Sequence, residues 1–111
     1  MQELSRTFAA LSDPVRLKLV DHLLRAGESP AGDLVALTEI SAPAVSRHIK
    51  VLRESGVLVQ RAAGTHRYYR VNPAAMGALD DWMARHRAFW SAGLDRLGDY
   101  LDSEGDVDAT G

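Results

Sequence analysis

The sequence predicts a mainly α fold with one small β-hairpin, on three observations. Apolar residues recur at helical spacing in four short segments before residue 56. Between 57 and 71 the pattern changes to β-branched and aromatic residues around a glycine. From Pro73 the three-or-four spacing returns and persists to about residue 101.

Leu4, Phe8 and Leu11 share one face of a first helix that ends near Ser12. Asp13-Pro14 supplies an N-cap and a first-turn proline for a second helix, with Val15, Leu19, Val20, Leu23 and Leu24 inward and Gly27 as its C-cap. Ser29-Pro30 repeats the cap-then-proline signal and opens a short third helix with Leu34 and Leu37 inward. After a turn at 38–40, Ser41 caps a fourth helix over 42–54 that stops at Gly56. Val45, Ile49 and Leu52 form its buried stripe, and a turn of about 100° per residue carries Pro43, Arg47 and Lys50 to the far side. Two short helices joined by a few residues, the second with a polar front, fit a helix-turn-helix. A hydrophobic back and a cationic front suit the DNA major groove.

Residues 57–61 and 66–71 pair as strands across Ala62-Ala63-Gly64-Thr65. An isolated hairpin is marginal in water, so it must lean on the helices. Arg61, Arg67 and Arg70 decorate it as a "wing" touching the phosphate backbone; the alternative is a set of charges guarding against edge pairing. Asn72-Pro73 then opens one long helix carrying Met76, Leu79, Trp82, Met83, His86, Phe89, Trp90, Leu94, Leu97, Tyr100 and Leu101 on a stripe. At 1.5 Å per residue it spans about 40 Å, more than a domain of this size covers, so a symmetric partner is expected to bury the excess. Residues 1–101 therefore read as one DNA-binding and dimerisation domain, and the acidic stretch 102–111 as a disordered tail.

At 111 residues, with 46% apolar and 25% charged, the chain suits one soluble globular domain. It has no cysteine, which excludes disulfides and thiolate metal sites, and neither an apolar run of membrane length nor a signal-peptide pattern is visible. The cytoplasm is the expected compartment. The net charge of −2 conceals a split: residues 1–77 carry ten Lys/Arg against seven Asp/Glu, and residues 78–111 three against eight. Within 45–70 six cations face Glu54 alone, the footprint of a polyanion contact.

Together these elements outline a winged helix-turn-helix, in the order α1-α2-α3-α4-β-β-α5. Over 4–101 the sequence resembles the ArsR/SmtB family of bacterial repressors, through the segments Phe8–Leu17, Ala44–Leu58 and Gly64–Val71. The resemblance implies a homodimer that binds an inverted-repeat DNA operator, with the first and last helices at the seam. The family's metal-binding Leu-Cys-Val-Cys-Asp-Leu pattern corresponds here to Ser29-Pro30-Ala31-Gly32-Asp33-Leu34, so Pro30 and Gly32 stand in the cysteine places. The last helix has His86, with Asp80 and Asp81 at the wrong spacing for the family's other metal site. His22, His48, His66 and His86 lie on different elements, and a zinc site needs about four convergent ligands. A non-metal-sensing branch is therefore implied, with no cofactor, no metal site and a small-molecule or other non-metal effector.

The expected DNA contacts are Ser41, Pro43, Ala44, Ser46, Arg47, His48 and Lys50 from the helix, and Arg61, His66, Arg67 and Arg70 from the hairpin. The expected dimer interface comprises Leu4, Phe8 and Leu11 with Met76, Leu79, Trp82, Met83, His86, Phe89, Trp90, Leu94, Leu97, Tyr100 and Leu101 of the last helix. A protein–protein module that keeps the scaffold and has lost DNA binding is the competing reading. Catalysis is not expected: Ser46, His48 and Glu54 do not converge on a point, and no phosphate-cradling glycine loop is present.

Overall fold

Asp13 shows how locally the chain is directed. Its side chain accepts from the amides of Val15 (2.9 Å) and Arg16 (3.1 Å), and Pro14 follows, so a helix starts where the sequence indicates. In the computed structural model, residues 2–110 are described, with the side chains of Trp90 and 103–110 excepted. The elements are α1 (Gln2–Leu11), α2 (Pro14–Ala26), β1 (Ser29–Pro30), α3 (Ala31–Ala36), α4 (Ala42–Glu54), β2 (Leu58–Ala63), β3 (His66–Val71), α5 (Pro73–Arg85) and α6 (Arg87–Thr110). They fall into two units, residues 1–79 and 80–111.

In the first unit, helices pack around Leu19, Leu34, Val45, Leu52 and Val57, all fully buried. Gly27 ends α2 at φ +80°, a positive φ that favours glycine, and its N–H donates to the Leu23 carbonyl. Ser41 accepts from the Ala44 amide at 3.3 Å and caps α4. Asn72 joins the far ends of two elements. Its amide N–H donates to the Val57 carbonyl (2.8 Å), its Nδ2 donates to the Gly56 carbonyl (2.9 Å), and its Oδ1 accepts from the Ala74 amide to start α5.

The hairpin turn is tighter than the sequence suggested. Ala63 pairs with His66, so Gly64 and Thr65 alone make the turn. Gly64 leads with φ +62°, as the first position of a type II′ turn requires. A second difference is a third strand. Ser29 and Pro30 were expected to cap and open α3; instead they pair antiparallel with Tyr69 and Tyr68, giving a sheet of order β1-β3-β2. Pro30 lacks a ladder donor and is tolerated because β1 is an edge. Ser29 donates to the Gly27 carbonyl, and no side chain caps α3.

The expected single last helix is divided at His86, which forms a turn between α5 and α6. The His86 N–H donates to the Met83 carbonyl three residues back (3.2 Å), closing α5 with a tightened turn. The Trp82 and His86 rings pack at 4.7 Å between centroids. Helix α6 is continuous to Thr110, into the stretch expected as a disordered tail.

Leu52→Ala should destabilise the first unit by about 2–5 kcal/mol, because the side chain is fully buried and leaves a cavity. Ser41→Ala should cost about 1 kcal/mol through the lost cap. Urea unfolding checks both, and an unchanged midpoint for Leu52→Ala would contradict the packing described.

Candidate nucleic-acid interface

Helix α4 turns Val45, Ile49 and Leu52 into the core. Its other face leaves Ser41, Pro43, Ser46, Arg47 and Lys50 exposed, with Ala44 half-buried. Lys50 lies 3.9 Å from Glu54 in an exposed i,i+4 pair, a contact too weak in water to fix the ammonium.

Strand alternation sorts the wing residues onto two faces. The register pairs Leu58 with Val71, Gln60 with Tyr69 and Ala62 with Arg67. Leu58 and Tyr69 are buried, so this face is the one turned to the core. Arg67 at its outer end lines a cleft of about 510 Å³ between α4 and the wing. Ser46, Lys50, Arg53, Glu54, Gln60 and Tyr69 line the same cleft. Ser46, Lys50 and Arg67, all expected as DNA contacts, are thus brought together across two elements. Arg53 and Gln60 join them and were not singled out from the sequence. Arg53 lies one helical turn beyond Lys50, and the period-2 pattern puts Gln60 on the face of Arg67; both signals were readable.

The opposite wing face carries Arg61, Tyr68, Arg70 and, at the turn, His66. Arg61 has other partners than the solvent-facing role expected of it. Its Nε donates to both Glu28 oxygens (3.1 and 3.2 Å), and one terminal nitrogen donates to Oε1 at 2.7 Å. Its guanidinium also lies 4.7 Å over the Tyr68 ring, its cross-strand neighbour. This fork holds the Glu28 carboxyl below its ordinary value and raises the Arg61 guanidinium further above its own. Arg67, Arg70 and His66 are exposed. The His66 ring is 6.5 Å from that of Tyr68.

His48 differs in the same sense. It is half-buried, and its Nδ1 is 3.9 Å from Asp13 at the head of α2, turned towards the body of the domain. The Asp13 carboxyl sits below its ordinary value of 3.8, chiefly because the Arg16 amide donates to it. Burial opposes this, while the Val15 amide and the charges of His48 and Arg16 assist.

The residues expected at a dimer seam divide by unit. In the first, Leu11 and Met76 pack partly against their own core, Leu4 and Leu79 are half-buried, and Phe8 is exposed. In the second, Trp82 is half-buried against His86, while Met83, Phe89, Leu94, Leu97, Tyr100 and Leu101 are exposed, Leu94 by 65%. The Trp90 side chain lies outside the described residues. Among the described residues there is no group of three or more His, Cys, Asp or Glu placed to hold a metal, and no helix is long and apolar enough to cross a membrane.

A short helix bundle with an outward cationic helix and a basic wing is the form of a winged helix-turn-helix DNA-binding protein. A helix-turn-helix domain family matches residues 11–61. The HTH-type transcriptional regulator Rv2034 of Mycobacterium tuberculosis is 37% identical over 91% of each chain. The transcriptional repressor SdpR of Bacillus subtilis is 34% identical over 72% of this chain and 88% of its own. Among solved structures, the ArsR family transcriptional regulator RHA00566 superposes with a TM-score of 0.71 at 26% identity, covering 81% of this chain and 92% of the other. The homodimeric winged helix-turn-helix DNA-binding domain Mb0332 of Mycobacterium bovis gives 0.62 at 26% identity, covering 78% and 82%. The chain belongs to the ArsR family of helix-turn-helix transcriptional regulators.

A carboxyl depressed in the folded state stabilises above its unfolded value and ceases to as the pH falls through its folded value. The stability advantage of the wild type over Asp13→Asn should therefore be complete well above the ordinary value of 3.8 and shrink progressively as the pH falls below it. Urea midpoints of the two proteins across that range check this. A difference that grew on acidification would refute the assignment.

Proposed function

We propose that the protein is a repressor that acts as a homodimer and presents two copies of α4 to successive major grooves of an inverted-repeat operator. The observation that carries this reading is the outward cationic face of α4, continued by Arg67 of the wing across one cleft. With two-fold symmetry the half-sites lie about 10–10.5 base pairs apart. Arg47 and Lys50 reach base edges or phosphates, and a bidentate arginine on guanine is the commonest specific contact. Ser41 and Ser46 contribute hydroxyls, Pro43 allows close approach, and Ala44 meets a thymine methyl. Arg53, Arg67, Arg70 and His66 serve the backbone. The dimer represses by occupying the promoter.

The seam is proposed to form from the exposed Leu94, Leu97, Tyr100 and Leu101 of the last helix together with α1. Support comes from the exposure of these side chains, which two-fold pairing removes from water, and from the homodimeric state of a structural relative. The input is proposed to be a small molecule or other non-metal effector, since Pro30 and Gly32 offer no side-chain ligand where family members have cysteines.

Selecting bound fragments from the source genome tests the reading and supplies the operator. On that operator, Arg47→Ala should cost about 1–3 kcal/mol and relax preference at one position, whereas Arg67→Ala should weaken all sequences alike and lower the salt slope by about one. Added zinc or arsenite should leave wild-type binding unchanged. Normal binding by the doubly substituted protein would refute the interface.

Leu94→Glu with Leu97→Glu should convert a dimer to a monomer in sedimentation and weaken operator binding. A strict wild-type monomer at micromolar concentration would overturn the dimer.

A further inference from the structure

Glu28 lies outside α4 and outside the hairpin, yet it holds an arginine of the wing. It directly precedes β1, whose Ser29 and Pro30 pair with Tyr69 and Tyr68 of β3. The Arg61 fork on Glu28 runs from β2 back to this junction, and the same guanidinium covers Tyr68. All three strands are therefore tied at one point, on the wing face opposite Arg67. A carboxylate beside a surface that approaches phosphates repels them, and it also occupies one of the wing's three arginines. A gain in geometry offsets that loss. An arginine fork on a carboxylate is directional, and a ring beneath it restricts the guanidinium further.

We infer that Glu28 is a positioning residue for DNA binding, which holds Arg61 against Tyr68 and so sets the wing at the angle that brings Arg67 to the duplex. The inference rests on the DNA-binding reading above. It assigns Arg61 to a structural pair on the wing surface rather than to the duplex and leaves Lys50, Arg53 and Arg67 as the cations around the cleft.

The test uses the full chain, a labelled mixed-sequence duplex of about 30 base pairs, and amide ¹⁵N relaxation of the free protein. Glu28→Gln should lower order parameters at 61–67 and weaken duplex binding about two- to five-fold, with the thermal midpoint little changed, because an exposed pair contributes modestly. Arg61→Met should match it, and the double variant should be no worse than either single one. The exchanged pair, Glu28→Arg with Arg61→Glu, should recover part of the lost affinity. Tighter binding by Glu28→Gln would mean that Arg61 is a phosphate contact masked by Glu28 and would overturn the inference. So would an exchanged pair that binds more weakly than Arg61→Met. A wild type that binds no duplex would refute the DNA-binding reading. In that case the relaxation data still decide the role of Glu28 in the wing, and unchanged order in Glu28→Gln would exclude it.

Discussion

Burial of one stripe of α4 sets the rest of the site. A helix of 13 residues is marginal alone in water, so its presence and its rotation depend on packing. Val45, Ile49 and Leu52 supply that packing, each worth about 1.5–3 kcal/mol when fully withdrawn from water. Rotating the helix by one residue would expose one of them. The core therefore fixes which residues look outward, and these are Pro43, Ser46, Arg47 and Lys50. The cap at Ser41 and the hydrogen bonds of Gly56, Val57 and Asn72 fix where that face begins and ends.

The wing adds charge under a different periodicity. Its alternation divides three arginines that look equivalent in sequence. Arg67 joins the cations of α4, whereas Arg61 and Arg70 lie on the face where Glu28 sits. Of these, Arg61 is taken by Glu28 and Tyr68. The free cations beside α4 are thus fewer than a count over 45–70 suggests, and they are concentrated in one cleft. Concentration matters for binding a polyanion, because exposed charges separated by more than a screening length of about 8 Å act independently.

Most of the scaffold was legible in the sequence because short-range rules govern it. Asp13-Pro14, Ser41 and Gly27 are caps whose chemistry is local, and the stripe of α4 follows from one period. What was hidden depended on partners distant in sequence. Strand β1 exists because Tyr68 and Tyr69 pair with it some forty residues away, and Pro30 alone reads as a helix start. Arg61 reads as a free cation until Glu28, 33 positions earlier, is found beside it. His48 reads as a groove residue until the fold brings Asp13 near. The break at His86 has no proline or glycine to announce it. Arg53 and Gln60, which line the cleft and were not singled out, did carry a signal in their spacing.

The two-residue turn at Gly64-Thr65 makes the wing subject to parity. Each residue along β3 points to the side its neighbour does not. With Tyr69 held by its pairing, inserting one residue between Arg67 and Tyr69 would send Arg67 to the Glu28 side and bring its neighbour to the cleft. Inserting two would leave every side assignment intact and only extend the reach. Lengthening of this hairpin among homologues should therefore proceed by even steps in each strand, and an odd step would have to be absorbed by a bulge.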